Sequence, residues 1–140
     1  MRLTSHTDYA LRVLLYVGAA EKSVTITQIS NAYTISKEHL RKVVHALAQL
    51  GYINTTQGRY GGITLAKAPE KINIRDVVDN LENTCIVECF DSETNTCVID
   101  GMCRLKKALF EARESFMAVL GQYTLSDLIS HPRLIAFCKS

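Results

Sequence analysis

Three cysteines in one polar stretch constrain this chain more than any other feature of its sequence. Residues 88–105 read ECFDSETNTCVIDGMCRL and place Cys89, Cys97 and Cys103 in the spacing C-x7-C-x5-C. The residues between the first two cysteines are mostly polar, so this stretch cannot fold by burying apolar surface of its own. Three thiolates are soft ligands that suit zinc or an iron-sulfur cluster. We therefore expect a metal centre to hold this stretch in place.

The cysteine spacing alone leaves the chemistry open. Adding Cys85 would complete a set of four thiolates, as in a structural zinc site, whereas three thiolates suit an iron-sulfur cluster, and the thiols could also be free. The absence of a C-x2-C pair argues against a zinc ribbon and against thioredoxin-like redox chemistry. Cys85 and Cys138 also have ordinary interpretations, the first at the end of an apolar helix and the second in a carboxyl-terminal tail.

The number of cysteines and the first twenty residues predict a reduced, cytoplasmic protein. The apolar run 13–17 is too short to span a bilayer, and Asp8 and Arg12 interrupt its approach, so we expect no signal peptide and no membrane helix. Without secretion, five cysteines are better explained as thiols or metal ligands than as disulfides. A chain of 140 residues suits one domain, or a small domain with a helical extension.

Charge is divided unevenly along the chain. Residues 1–67 contain eight Lys and Arg against three acids, a net charge of +5, whereas residues 68–140 contain eight against eleven, a net charge of −3. A basic amino-terminal half attached to an acidic remainder favours a polyanion as the partner of the first half. The alternative is that the basic residues form an ordinary solvated surface without a polyanion partner.

The order of helical patterns in residues 1–67 predicts a winged helix-turn-helix domain. Residues 5–20 are mostly apolar with helical spacing, and Gly18 is expected to mark the fraying end of this first helix. The capping box Thr25–Gln28 begins a second helix, and Ser36 can cap a third that ends at Gly51. Two β-prone runs around the glycine-rich tip GRYGG then predict a hairpin, the wing.

The third helix and the wing supply the candidate DNA contacts. A helix-turn-helix places the start of its second helix in the major groove, and a narrow hairpin tip carrying an Arg can enter a minor groove. We expect two lysines to contact phosphates and two arginines to read bases or groove shape. The candidates are Lys37, His39, Arg41 and Lys42 on the helix, with Lys37 and Lys42 as the phosphate contacts, and Arg59 at the wing tip.

The carboxyl-terminal half is predicted to be helical on either side of the cysteines. Asn73 can cap a short helix, and from Arg104 onward an apolar stripe continues over about four turns. Such a helix needs a surface to pack against, either the first helix of its own chain or the same helix of a second copy. Packing against a second copy is favoured, because a DNA-reading module must address two half-sites. The stretch Thr124–Asp127 begins a last short turn, and the tail 131–140 has no clear pattern.

The expected fold is therefore mainly α with a small β-hairpin wing, a winged helix-turn-helix domain followed by a long dimerisation helix. Its predicted parts are the DNA-binding domain in residues 1–67, a linking helix and cysteine loop in 68–103, and the dimerisation helix and carboxyl-terminal tail in 104–140.

Several segments taken together resemble one family. They are MRLTSHTDYALR, HALAQLGYI, QGRYGGITLAK, the DVV helix, the three cysteines followed by RLKKAL, and YTLSDLI. In these segments the chain resembles the winged-helix iron-sulfur regulators that include IscR, NsrR and RirA, over nearly its whole length. The resemblance implies that Cys89, Cys97 and Cys103 bind the cluster.

The resemblance also bears on the fourth ligand. IscR-like members have a histidine shortly after the third cysteine, but here residues 104–107 are RLKK, which disfavours an IscR-type [2Fe-2S] site. In NsrR-like members an aspartate of the TDYALR motif is implied to complete a [4Fe-4S] cluster from the other subunit, and this chain has Asp8 there. The C-x7-C spacing is closer to RirA-like iron sensors, but these tend to lack the aspartate. The NsrR-like branch is favoured, although an acid in the first turn of a helix is also favoured by the helix dipole alone.

The resulting hypothesis is a homodimeric repressor that binds a palindromic operator in double-stranded DNA in its [4Fe-4S] form and releases it on reaction with nitric oxide. The alternatives are an iron-responsive, RirA-like regulator and a zinc-stabilised DNA-binding module without sensing. An enzyme is disfavoured, because the sequence shows no nucleophile paired with a general base. It also shows no cofactor-binding loop, since the GRYGG stretch lies in a hairpin rather than between a strand and a helix.

Overall fold

A computed structural model of the protein describes all 140 residues. It is mainly helical and contains one small antiparallel hairpin, which confirms the fold class expected from the sequence. Two single turns of 3-10 helix lie at Pro69–Lys71 and Glu88–Phe90. The other elements are α1 (Ser5–Ala20), α2 (Ile26–Tyr33), α3 (Lys37–Gln49), β1 (Ile53–Thr56), β2 (Gly62–Leu65), α4 (Ile74–Leu81), α5 (Arg104–Leu120), α6 (Leu125–Ile129) and α7 (Pro132–Lys139).

Helix α1 lies at the centre of the hydrophobic core. Most of its apolar residues are fully or almost fully buried, because the helix packs against α3, β2, α6 and α7. A helix that is apolar over most of its circumference is the pattern expected for an element with neighbours on several faces. The buried positions include Ala10, Val13, Leu14, Val17 and Ala20.

The helix caps predicted from the sequence are present. The Thr25 side chain accepts from the backbone N–H of Gln28, and Gln28 Oε1 accepts from the backbone N–H of Thr25, which forms a reciprocal capping box. Ser36 caps α3 and Asn73 caps α4 in the same way, each accepting from a backbone N–H of the first turn. Gly51, with φ +78°, follows the last turn of α3.

Gly18 has a different role from the one expected. Helix α1 continues through it to Ala20 and ends at Glu21, which adopts a left-handed conformation with φ 54°. A Cβ at position 18 would lie 3.3 Å from both Leu125 Cδ2 and Ile129 Cδ1. The glycine therefore allows α6 to approach α1 closely, a contact between distant residues that no local pattern could reveal.

The wing is a short, well-defined ladder. Strands β1 and β2 pair in the register from Ile53 opposite Leu65 to Thr56 opposite Gly62, and an isolated bridge joins Val24 to Ile63. A Cβ on Gly61 would collide with the Thr56 carbonyl oxygen, so only glycine fits at this point of the tip.

The carboxyl-terminal tail is helical, which corrects the expectation of an undetermined segment. The His131 side chain accepts from the backbone N–H of Arg133, and Pro132 occupies the first helical position, so α7 has a recognisable start. Cys138 is only 2% exposed and belongs to the core around α1. The ring of Phe137 lies 6.3 Å from that of Tyr16 and 5.7 Å from that of Tyr33. The tail therefore covers α1 rather than extending away from it.

Helix α5 is the element with the least support inside the chain. Only Met117 of its 17 residues is buried, and its main contacts are with α4 rather than along α1. Several apolar side chains face solvent, namely Leu105, Phe110, Phe116 and Val119. None of the helices combines the length and the apolar character needed to cross a lipid bilayer.

The close contact between α6 and α1 predicts a measurable difference between two leucines of the same short helix. Leu125 is 1% exposed, whereas Leu128 is 37% exposed. We expect Leu125→Ala to lower the free energy of unfolding by about 2–5 kcal/mol, because it leaves a cavity against α1. Leu128→Ala is the matched control and should lower it much less. Urea unfolding followed by circular dichroism measures both, and equal losses would contradict this packing.

Candidate metal centre and DNA-binding surface

The cysteine loop is held by polar contacts of its own side chains. Glu88 Oε1 accepts from the backbone N–H and the hydroxyl of Thr96 at 2.7 and 2.5 Å, and these bonds lower the pKa of Glu88. Asp91 accepts from the backbone N–H of Glu93 at 3.0 Å and from the Thr94 hydroxyl at 2.9 Å. The expectation that such a segment lacks internal support was therefore incomplete, because polar side chains near their own backbone can order a loop without apolar burial.

Asp100 and Lys106 join the loop to the first turn of α5. Asp100 Oδ1 accepts from Lys106 Nζ at 2.6 Å, and its Oδ2 accepts from Asn95 Nδ2 at 2.5 Å. Asn95 Oδ1 in turn accepts from the backbone N–H of Cys97 at 3.0 Å. The bond to Lys106 is the largest cause lowering the pKa of Asp100. The same bond raises the pKa of Lys106, and the nearby Cys89 and Cys97 side chains raise it further.

The three predicted ligand cysteines surround Lys106. Cys103 is the N-cap of α5, and its Sγ accepts from the backbone N–H of Lys106 at 3.4 Å. Cys85 and Cys89 line a cavity of 520 Å³, and Cys103 lines a neighbouring one of 290 Å³; the two cavities share the side chains of Phe90, Asp100, Lys106 and Phe110. No group of three His, Cys, Asp or Glu side chains lies close enough within the single chain to hold a metal ion. The cysteines thus share one region without being assembled as a ligand set.

The surroundings of these thiols fit an anionic, thiolate-bound centre. Arg113 lines the cavity of Cys85 and Cys89; its Nη2 donates to Thr84 Oγ1 at 2.9 Å, but its buried Nε has no hydrogen-bond partner. A buried N–H without a partner costs free energy, and a group with negatively charged sulfur atoms would supply the acceptor. Lys106 and Arg113 together would offset the negative charge of several thiolates. Both residues follow Cys103 in the sequence, but only the fold shows that they lie near the thiols of Cys85 and Cys89.

Asp8 lies apart from the cysteines of its own chain. It is half-exposed on α1 and does not line either cavity of the cysteine loop. Its two carboxylate oxygens accept from Arg12 Nε at 3.0 Å and from Nη2 at 2.8 Å. The fold therefore leaves Asp8 accessible from outside the chain and does not join it to the other predicted ligands.

The predicted DNA contacts lie on one exposed face. Leu40, Val43 and Leu47 bury one side of α3 against the core, which turns the opposite, basic side to solvent. His39 has an additional neighbour, because its ring lies 6.1 Å from that of Tyr9 on α1. All four predicted residues of this helix, Lys37, His39, Arg41 and Lys42, are exposed.

The wing tip presents Arg59 and one residue that the sequence interpretation missed. The Arg59 guanidinium lies over the ring of Tyr60, with 5.9 Å between Cζ and the ring centroid. Tyr60 is 89% exposed. An aromatic residue within a glycine-rich tip was the available signal, because such a ring has no core to enter and can only meet solvent or a partner.

Comparison with known proteins places the chain among DNA-binding regulators. The profile of the Rrf2 family, described as an iron-dependent transcriptional regulator, matches residues 3–131. The HTH-type transcriptional regulator NsrR of Halalkalibacterium halodurans is 51% identical over 94% of this chain and 92% of its own length. The protein of the same name from Bacillus subtilis is 49% identical over 94% of this chain and 92% of its own length.

Solved structures show the same fold at lower sequence identity. CymR, the global cysteine regulator of B. subtilis, superposes with a TM-score of 0.76 at 24% identity and covers 93% of this chain and 97% of its own. The IscR structure from T. potens has a TM-score of 0.70 at 21% identity and covers 92% of this chain and 86% of its own. These likenesses establish the shared winged-helix architecture.

The position of Lys106 predicts its effect on a bound centre. We expect Lys106→Met to weaken retention of iron and sulfide by about 10- to 100-fold, because residues that support metal ligands commonly have effects of this size. Lys107→Met is the matched control, since Lys107 is the adjacent lysine, its side chain is 80% exposed and its ion pair is with Glu111, at 3.8 Å, rather than with a residue of the cysteine loop. Anaerobic reconstitution followed by chelator challenge measures retention. Equal retention in the two variants would contradict the role assigned to Lys106.

Proposed function

Because this chain belongs to the Rrf2 family of transcriptional regulators, we propose that it is a homodimeric repressor whose operator binding requires an iron-sulfur cluster and is lost on reaction with nitric oxide. The observation that carries this proposal is that one chain combines an exposed basic face on α3 with a loop of three thiols that has the cations Lys106 and Arg113 nearby. High identity to NsrR proteins over nearly the whole chain supports the same function.

DNA is read by the basic face of α3 and by the wing. Lys37 and Lys42 contact phosphates, while Arg41 reads a base edge in the major groove. Arg59 at the wing tip enters the adjacent minor groove. His39 contributes from the first turn of α3, and its contact with Tyr9 keeps its ring near α1.

A second copy of the chain completes the DNA-binding unit. Half-sites of a palindrome lie ~34 Å apart, one helical turn, so a symmetric dimer is needed to address both. The exposed apolar side chains of α5, among them Leu105, Phe116 and Val119, supply the surface that such a dimer would bury. Helix α5 finds little cover in its own chain, which favours the copy over packing along α1.

The cluster-binding residues are Cys89, Cys97 and Cys103, with Asp8 of the partner subunit as the fourth ligand of a [4Fe-4S] cluster. When bound, the cluster supplies an iron whose carboxylate ligand is more readily displaced by a diatomic molecule than a thiolate would be. Asp8 is half-exposed and therefore accessible to a neighbouring chain. Residues 104–107 have no histidine, which disfavours a [2Fe-2S] site of the IscR type.

One feature favours a second candidate function within the same class. The C-x7-C spacing is similar to that of RirA-like iron sensors, in which iron availability rather than nitric oxide sets operator occupancy. The two functions make opposite predictions, because the iron sensor releases DNA on iron depletion and is indifferent to nitric oxide.

Operator occupancy under controlled conditions tests the proposal. Protein purified without oxygen is expected to be brown, to contain iron and sulfide, and to lose its operator when nitric oxide is added in amounts comparable to the cluster. Cys97→Ala should contain little iron and bind the operator weakly, whereas Cys85→Ala should retain both properties, because Cys85 is outside the proposed ligand set.

Three outcomes would count against this function. Unchanged occupancy under nitric oxide, with loss under iron depletion, would favour the iron sensor. Colourless protein with one zinc ion, lost in Cys85→Ala, would favour the zinc-stabilised module. Occupancy independent of any metal would exclude both iron-sulfur sensors and the zinc-stabilised module.

The DNA-binding residues predict different effects for a phosphate contact and a base contact. Lys42→Ala should weaken binding to all sequences and reduce the dependence of log K on log salt by about one. Arg41→Ala should cost about 1–3 kcal/mol on the operator and relax discrimination at one base pair. Fluorescence anisotropy with operator and random DNA over a range of salt measures both. Lys71→Ala, an exposed lysine outside the recognition face, is the control, and a loss as large as that of Lys42→Ala would contradict the assignment.

A further inference from the structure

Glu82 connects the start of the cysteine loop to a distant part of the chain. It is the C-cap residue of α4, where its backbone N–H donates to the Val78 carbonyl at 2.8 Å, and the cysteine loop follows directly. Its Oε2 accepts from the backbone N–H of Thr4 at 2.9 Å and from the Thr4 hydroxyl at 3.0 Å. These two hydrogen bonds span 78 residues of sequence.

The contact point of Glu82 is the amino terminus of α1. Thr4 is the N-cap of this helix, and its Oγ1 accepts from the backbone N–H of Thr7 at 3.3 Å and lies 3.2 Å from the Thr7 hydroxyl. Thr7 is fully buried and is the only polar or charged side chain in the core. The Glu82 carboxylate therefore extends a hydrogen-bonded chain that begins inside the core and ends at the loop.

The charge of Glu82 suits this position. Burial raises the pKa of Glu82, but the nearby Thr7 hydroxyl and the two hydrogen bonds from Thr4 outweigh it and bring the pKa below its ordinary value. A carboxylate at a helix amino terminus also faces the positive end of the helix dipole. Glu82 thus acts as a second, long-range cap for the turn of α1 that contains Asp8.

The helix that Glu82 holds is the one on which the DNA-binding elements pack. Helix α1 contacts α3 and β2 directly, and Tyr9 on its second turn lies beside His39 of the recognition helix. A shift of the α1 amino terminus would therefore displace the recognition helix α3, because packed helices move as units rather than deforming continuously.

We propose that Glu82 is a positioning residue that transmits the state of the cysteine loop to α1 within the same chain, through its two hydrogen bonds to Thr4. This inference rests on the proposed function, since it assumes that operator affinity depends on the cluster. It adds a route inside one subunit to the contact that Asp8 would make between subunits.

The test separates transmission from simple stabilisation. A cap that only stabilises the fold would change operator affinity equally with and without the cluster, whereas a transmitting residue changes the ratio of the two affinities. Operator affinity of cluster-bound and cluster-free protein is measured by fluorescence anisotropy for wild type, Glu82→Ala and Glu82→Gln, with iron content and thermal unfolding determined for each. Glu70→Ala is the matched control, because Glu70 is an exposed carboxylate whose side chain accepts from a hydroxyl, that of Ser126, at 3.4 Å and lies outside the loop.

The expected result is a loss of coupling without loss of the cluster. We expect wild type and Glu70→Ala to show a ratio within the usual range for coupled sites, about 5- to 150-fold, and Glu82→Ala to reduce it to about 3-fold or less. Glu82→Gln keeps a hydrogen-bond acceptor and should give an intermediate ratio.

Several results would overturn the inference. A wild-type ratio in Glu82→Ala, or an equal drop in both affinities, would assign Glu82 a structural role only. Loss of iron from both Glu82 variants would assign it to cluster retention instead. A ratio of one in wild type would remove the proposed function itself, and with it this inference.

Discussion

The burial of α1 is the constraint on which the rest of the structure depends. A helix that is apolar over most of its circumference must be covered on several sides, and the chain covers it with its recognition helix, its wing strand, α6 and α7. The amino-terminal and carboxyl-terminal parts of the chain are therefore packed around a shared element. Gly18 and Cys138 belong to this packing, the first by permitting the approach of α6 and the second by filling the core from α7.

The cysteine loop follows a different physical rule. Apolar burial contributes little to it, apart from the contact of Phe90 with Phe110 at 6.0 Å between ring centroids. Polar side chains order its backbone, and two cationic side chains, those of Lys106 and Arg113, lie near its thiols. Lys106 is central, because its ammonium donates to Asp100 while its backbone N–H donates to the Sγ of Cys103, the N-cap of α5. Such a loop can be ordered and still respond to a change at the thiols, since few buried contacts oppose its movement.

The cysteine loop and the DNA-binding elements are separated in sequence, but both are linked to the amino-terminal half of α1. Asp8 lies one turn beyond the cap formed by Thr4 and Glu82, and its partner Arg12 lies one turn further. Tyr9 extends from the same turns toward His39 and also lies under the Arg12 guanidinium, with Cζ 5.7 Å from the ring centroid. A regulator of this family needs such a junction, because a change at the loop must alter the position of a helix rather than a single side chain.

The sequence by itself determined the local elements, because caps, hydrophobic periodicity and turn residues act over a few positions. The capping box at Thr25, the N-cap at Ser36, the glycine-rich wing and the long helix from Arg104 were all recognisable. It also identified the family and the cysteines. Only the tertiary structure decided the features that depend on distant partners. These are the packing role of Gly18, the packing of α7 on α1 that buries Cys138, the positions of Lys106 and Arg113 near the thiols, and the hydrogen bonds from Thr4 to Glu82. Most of these contacts join residues far apart in the sequence, and hydrophobic periodicity does not reveal which surfaces meet in space.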